Sequence, residues 1–192
     1  MANGNLLGMW ESPDELAALQ RLLDRSFERA SEHLKSIMMP ERRIGAARLV
    51  TELSSPAVLN IATVTARGEP RVSAVDGHFL HGRWYFTTAA GSPKAHQLRA
   101  RPAISASFTP RDGFGVFCHG TAVRLAPGTQ RQMVADHFVA TYGQPPEAFG
   151  VDIAYVRIDA AWLTAFAMTD AELTQLGADR ADRAACDVSP SG

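Results

Sequence analysis

From Ala57 to Leu125 the hydrophobic pattern has a period of two and is cut every few residues by a turn signal. That alternation restricts the chain to a mainly antiparallel β architecture. Ala57–Thr65 is rich in β-branched and apolar residues, and Ala66-Arg67-Gly68-Glu69-Pro70 follows as a turn in which Gly68 can take positive φ. Arg71–Val75 returns as a strand. Asp76-Gly77 predicts a bulge or bend, and His81-Gly82 a tight turn into Arg83–Thr88. Ala103–Phe108 is a fourth strand, Asp112-Gly113-Phe114-Gly115 turns it, and Val116–Leu125 is a fifth. Ile153–Ile158 and Ala161–Ala167 are further strands. Among the first five strands there is one short crossover helix, Pro93–Ala100. It ends at Arg101-Pro102 because a residue before proline avoids the α region. Alternating βαβ units and a Gly-x-Gly-x-x-Gly turn are missing, so a doubly wound sheet is excluded and an antiparallel barrel is expected.

The flanking segments have helical periodicity. Ser12-Pro13-Asp14-Glu15 is a capped start, with serine at the N-cap, proline at the first helical position and acids in the first turn. Leu16, Leu19, Leu22, Leu23, Phe27, Ala30 and Leu34 then recur on one face, predicting a helix as far as Lys35, which Met38-Met39-Pro40 breaks. A second helix is expected from Glu41 to Leu53, and a third from Thr129 to Tyr142 closed by Gly143. After Leu176 the composition turns to Ala, Asp, Arg, Ser and Gly without periodicity. The expected division is an N-terminal helical extension (1–39), a barrel domain (40–170) and a disordered tail (176–192).

The small-residue loop after the aromatic strand carries the chemistry. Tyr85-Phe86-Thr87-Thr88 runs into Ala89-Ala90-Gly91, and a helix opens with Ser92, Pro93 and Lys94. Thr87, Thr88 and Ser92 offer hydroxyls, the first helical amides have no intrahelical acceptor, and Lys94 adds a positive charge. A lysine at a helix N-terminus opposes the helix dipole unless an anion compensates it. A phosphate is the expected guest, as a reacting group or as the handle of a cofactor.

Composition excludes other classes. The 192 residues carry a formal net charge of −1, so no basic field draws nucleic acid or an anionic membrane. No window approaches the ~18 consecutive apolar residues of a membrane span, and Met-Ala-Asn-Gly-Asn lacks the start of a signal peptide. Two cysteines, Cys118 and Cys186, make no disulfide framework and have no metal-ligand spacing, which suits a cytoplasmic protein. The six histidines, His33, His78, His81, His96, His119 and His137, show no paired metal-ligand spacing, and no metal site is expected. No Ser-His-Asp or Cys-His constellation is present, so no catalytic residue is named.

The ordered pieces Ile61-Ala62-Thr63-Val64, Gly68-Glu69-Pro70-Arg71-Val72-Ser73, Trp84-Tyr85-Phe86-Thr87-Thr88, Gly91-Ser92-Pro93-Lys94, Leu98-Arg99-x-Arg101-Pro102 and Gly120-Thr121-Ala122 span about a third of the chain. In that order and spacing, the segment resembles the flavin-binding split-barrel family that includes pyridoxamine 5′-phosphate oxidase and the deazaflavin-dependent reductases. The resemblance implies a six-stranded antiparallel split β-barrel (Greek key) with peripheral helices, assembled as a homodimer with two cofactor sites at the subunit interface. It also implies that Thr87, Thr88, Ser92 and Lys94 grip the cofactor phosphate, while Arg71, Val72 and Ser73 lie along the ring or ribityl chain. The implied function is an FMN-dependent oxidoreductase acting on a small organic substrate. The alternatives are an F420-dependent reductase, with Arg99 or Arg101 serving the longer tail, or a non-catalytic flavin- or haem-binding protein with His78 or His119 as axial ligand. The chain departs from the family pattern in two places. Pro93 stands where a basic residue is common, and Trp162-Leu163-Thr164-Ala165-Phe166 does not match the Trp-x-x-x-Arg-Leu motif of true pyridoxamine phosphate oxidases.

Overall fold

The computed structural model describes residues 10–177. Strands β1 (Ala57–Val64), β2 (Pro70–Leu80), β3 (Arg83–Ala89), β4 (Ala103–Phe108), β5 (Phe114–Arg124) and β6 (Ile153–Ala167) close into an antiparallel barrel in the order β1-β2-β3-β6-β5-β4. Around it lie α1 (Pro13–Glu28), α2 (Glu32–Ile37), α3 (Ala46–Glu52), α4 (Pro93–Ala100), α5 (Thr129–Tyr142) and a helix over residues 170–177, α6. This is the antiparallel barrel that the alternation predicts, in the six-stranded form with peripheral helices that the family resemblance implies.

Alternate residues fill the interior. Leu59, Ile61, Trp84, Phe86, Ile104, Val116, Cys118, Ile158 and Leu163 are buried in one cluster, each contributing roughly 1.5–3 kcal/mol by leaving water. A second cluster lies outside the barrel wall, where Val134 and Phe138 of α5 cover Leu80, Tyr85 and Tyr155. The β2–β3 turn carries positive φ at both His81 (53°) and Gly82 (69°), the pairing that matches the twist of a tight hairpin.

Four local expectations differ from the fold. Asp76-Gly77 does not interrupt β2, which runs unbroken to Leu80. Gly77 is required by close approach instead, because a Cβ there would meet Leu59 Cβ at 2.7 Å and Trp84 Cζ3 at 3.2 Å. The last two predicted strands are one, β6, whose register against β5 shifts between His119, opposite Trp162, and Gly120, opposite Ala160. The long N-terminal helix ends at Glu28. Ser31 then caps α2 by accepting from the Leu34 amide, so a side-chain cap overrides the apolar periodicity. The helix expected from Glu41 to Leu53 is reduced to a 3-10 turn, Pro40–Arg42, and α3, because Arg43 and Ile44 extend to pair with β6.

That pairing covers an exposed strand edge. Beyond Ile158, β6 is no longer paired by β3, and unpaired ladder groups invite aggregation. The Ile44 amide donates to the Ala165 carbonyl, and the Leu163 amide donates to Ser26 Oγ on α1 at 2.9 Å. Trp162 Nε1 donates to the Ser26 carbonyl. α1 in turn supports α3, since Gln20 Oε1 accepts from the Ala46 amide at 2.8 Å where Gly45 offers no side-chain cap. The expected tail begins at 176. Residues 176 and 177 close α6, which starts from a Thr169–Glu172 capping pair, and the remainder lies outside the described residues.

One polar cluster sits between β2 and α5. His78 Nδ1 lies 2.9 Å from His137 Nε2, and the Tyr142 hydroxyl lies 3.2 Å from His78 Nε2, so both nitrogens of the buried His78 ring are engaged. Trp10 meets the His137 ring edge-on, and Asp76 lies near enough to act on Tyr142. Burial, reinforced by the facing His137, pushes the His78 pKa down to about 4, and burial alone lowers that of His137.

Two predictions follow from this packing. A Cβ at Gly120 would collide with the Asp159 carbonyl oxygen at the register shift, a backbone group that cannot rotate away. Gly120→Ala is expected to destabilise the protein by roughly 1–3 kcal/mol, measured as a lower denaturation midpoint; an unchanged midpoint refutes the close approach. For the histidine pair, the folded state holds neutral rings whose pKa lies below the unfolded value of ~6.5, so the unfolded chain binds more protons between the two. Stability is therefore full above about pH 6.5 and lost as pH falls toward 4, by about 2 kcal/mol near pH 5. His78→Phe should flatten thermal melts between pH 7 and 5, and a profile parallel to the wild type would refute the assignment.

Candidate functional site

The site is built around α4. In the closed barrel β3 pairs with β6 and β4 with β1 and β5, so the connection from β3 to β4 crosses the barrel's end. α4 is held there by Leu98, buried in the core, and by Thr63 Oγ1 of β1, which donates to Gln97 Oε1 at 2.5 Å. Thr63 itself is almost wholly buried (1% exposed), and this bond satisfies its hydroxyl.

At the N-terminus of α4, Ser92 is the N-cap and accepts from the Ala95 amide at 3.3 Å. Its hydroxyl also lies 3.1 Å from Thr88 Oγ1. Pro93 presets the first helical φ and brings no amide, so the first amide of the helix belongs to Lys94. Among the described residues that amide has no acceptor and the Lys94 ammonium has no carboxylate within ion-pair distance. The neighbouring arginines differ: Arg99 Nη2 lies 2.7 Å from His96 Nδ1, and Arg101 donates to the Ala66 carbonyl. The first turn of one helix thus carries a cap hydroxyl bonded to a strand hydroxyl, an amide without an acceptor and, among the described residues, an ammonium without a carboxylate. That donor set fits a phosphate.

On the β1–β2 side of α4, a cleft of about 270 Å³ is lined by Arg71, Val72, Ser73 and Lys94 together with Thr63, Pro93 and Gln97. Four of the seven candidates from the sequence therefore meet in one cleft. Thr88 and Ser92 meet each other at the helix cap. Thr87 and Thr88 face opposite ways: strand alternation places Thr88 on the Trp84–Phe86 face inside the barrel and Thr87 on the Tyr85 face outside it. Val72 also points outward and is 72% exposed. Arg71 is held by Glu69 at 2.9 Å, an exposed pair contributing at most about 1 kcal/mol.

Thr63 and Gln97 were not singled out in the sequence. Gln97 was within reach of a helical-spacing argument, since it lies three residues after Lys94 and four after Pro93 on the same face. Thr63 carried no such signal, because a threonine in a strand is an ordinary residue. Of the two histidines considered as axial ligands, His78 has both nitrogens engaged in the α5 cluster. His119 lies on the outer face, stacked on Trp162 with Nδ1 2.8 Å from Ser105 Oγ.

The Pyridoxamine 5′-phosphate oxidase family model matches residues 46–165, more than half of the chain and the whole of the barrel from α3 nearly to the end of β6. Among solved structures the chain is similar to a conserved hypothetical protein from Mycobacterium tuberculosis, at 19% identity and TM-score 0.57, covering 67% of this chain and 88% of that one. It is also similar to a FAD-binding protein from Mesorhizobium loti, at 16% identity and TM-score 0.51, covering 68% and 100%. A heme-binding protein from Mycobacterium smegmatis matches at 14% identity and TM-score 0.50, covering 59% and 50%. At these identities the likeness establishes the fold. No curated protein sequence matches the chain significantly. No helix among the described residues is long and apolar enough to cross a membrane.

Proposed function

Because the chain belongs to the pyridoxamine 5′-phosphate oxidase family, we propose that it is a flavin-dependent oxidoreductase that holds FMN by its phosphate at the start of α4. The observation that carries this reading is Lys94, which among the described residues has no carboxylate partner, lining the Arg71–Ser73 cleft two residues after the Thr88–Ser92 hydroxyl pair at the cap of the same helix. When bound, the flavin supplies the hydride chemistry at its N5 position. The chain's own residues hold and orient it. Lys94, Ser92 and Thr88 bind the phosphate, and Arg71, Val72 and Ser73 form the wall along the ribityl chain and ring. Thr87 stays among the candidates through its main chain. Thr63 and Gln97 fix the angle of α4 against β1, and so the distance between the phosphate grip and that wall. No side chain is assigned as acid or base.

The same reading includes a homodimer, a cytoplasmic location, a small organic substrate, and the division into a helical segment (1–39) and a barrel domain (40–170). Val58 and Val72, 65% and 72% exposed on the outer face of β1 and β2, support a subunit contact there. Sedimentation giving a monomer mass would count against the dimer.

The reading is tested by titrating the full-length protein separately with FMN, F420 and haemin and recording visible absorption. Saturable FMN binding near one per chain is expected. Binding of F420 alone shifts the assignment to a deazaflavin reductase, a Soret band moves it to a haem binder, and no binding removes it. Lys94→Ala is expected to weaken FMN binding about tenfold or more, since a charge-assisted hydrogen bond contributes about 1.5–3 kcal/mol. An unchanged dissociation constant takes Lys94 out of the site. Turnover with NAD(P)H and an acceptor separates an enzyme from a flavin carrier.

A further inference from the structure

The flank of α4 opposite Lys94 faces a second cavity. Gln97 ties one side of the helix to β1, whereas the Leu98–Arg99 side stands off from β5 and β6 and leaves a hole of about 240 Å³. Its inner wall is formed by Leu98, Ala122, Ala154 and Val156, all buried and all apolar. Two of these four are alanines at inward barrel positions, which is why the volume is left unfilled. Its remaining charged lining is cationic: Arg99 and Arg124. Among the described residues the closest carboxylate to Arg124 is Asp152 at 4.0 Å, the limit of an ion pair, and the short contact of Arg99 is to His96 Nδ1. Two arginines that lack a close carboxylate among the described residues therefore line a cavity whose inner wall is hydrocarbon.

We propose that this cavity binds a small amphipathic carboxylate, its apolar body against Ala122, Ala154 and Val156 and its carboxylate between Arg99 and Arg124. The wall presents no polar side chain, so a polar body inserted there would lose hydrogen bonds to water without replacement. A guanidinium matches a carboxylate through two parallel N–H donors. The volume lies below the ~300–1,000 Å³ typical of drug-sized ligands, which limits the guest to a short alkyl chain or a single ring. The cavity shares no lining residue with the Lys94 cleft, and the proposal does not depend on the flavin reading.

The test is calorimetric titration of the full-length protein with sodium octanoate and, separately, sodium acetate. Octanoate is expected to bind saturably and acetate at least about tenfold more weakly, because it lacks the buried chain. The double variant Arg99→Ala/Arg124→Ala, at exposed positions, should weaken octanoate about tenfold. Ala95→Leu, at a half-buried α4 position lining the same cavity, should fill the hole and abolish binding while thermal melts remain cooperative. Absence of octanoate binding to the wild type overturns the proposal. So does acetate binding as tight as octanoate, or octanoate binding that survives either variant.

Discussion

Barrel closure forces the chain between β3 and β4 to cross the barrel's end, and nearly everything of chemical interest depends on that crossing. The strand order leaves β3 beside β6 and β4 beside β1, so no tight turn can join β3 to β4. An eight-residue helix spans the gap. Its N-terminus falls where β3 ends, bringing the strand hydroxyl of Thr88 to the cap hydroxyl of Ser92. Its single buried apolar residue, Leu98, enters the core, and its one polar anchor, Gln97, reaches the buried Thr63. A helix this short is marginal in water on its own. Its position comes from those two anchors, and the cavities on its two flanks are what a narrow helix leaves uncovered across a wider mouth.

The N-terminal helices answer a different demand. A barrel removes strand edges only where every strand is paired along its length, and β6 outruns β3 beyond Ile158. Three groups from the N-terminal region meet the exposed ladder: Ser26 Oγ, Arg43 and Ile44. Ser26 does so without leaving a polar atom unsatisfied, because its hydroxyl donates to the Leu22 carbonyl while accepting from Leu163. Gln20 links α1 to α3, and Glu11 accepts from the Gly82 amide at the β2–β3 turn. The helical segment is thereby bound to the barrel by hydrogen bonds between side chains and backbone as well as by Leu19 and Leu23 in the core.

The barrel was legible because alternation and turn chemistry are local signals. Val58 outward and Leu59 inward, or Gly68 and His81-Gly82 at positive φ, follow from residues within a few positions of one another. Apart from the local Ser31 cap that splits the N-terminal helix, the misreadings arose where a distant partner decided the outcome. Gly77 resembles a bulge until Trp84 and Leu59 close on it, and Ile44 belongs to a helical pattern until β6 claims it. The phosphate candidates could be read in part for the same reason. Ser92, Pro93 and Lys94 form a local motif, whereas the Thr63–Gln97 bond links residues 34 positions apart. The His78–His137 contact spans 59 and left no trace in the spacing of histidines.

The charges around α4 differ in how free they are to respond to an anion. A lysine in the first turn faces the positive end of the helix dipole, an unfavourable placement of about 0.3–1 kcal/mol at an exposed site. No nearby carboxylate among the described residues relieves it. Arg71 is relieved already by Glu69, but that pair is more than 40% exposed at both side chains and holds by at most about 1 kcal/mol. A charge-assisted hydrogen bond to a phosphate, at about 1.5–3 kcal/mol, exceeds both terms. An anion at the cap would therefore relieve the placement of Lys94 without disturbing the buried anchors of the helix. Pro93 in place of a basic residue presets the first turn and leaves Lys94 as the single cation in it.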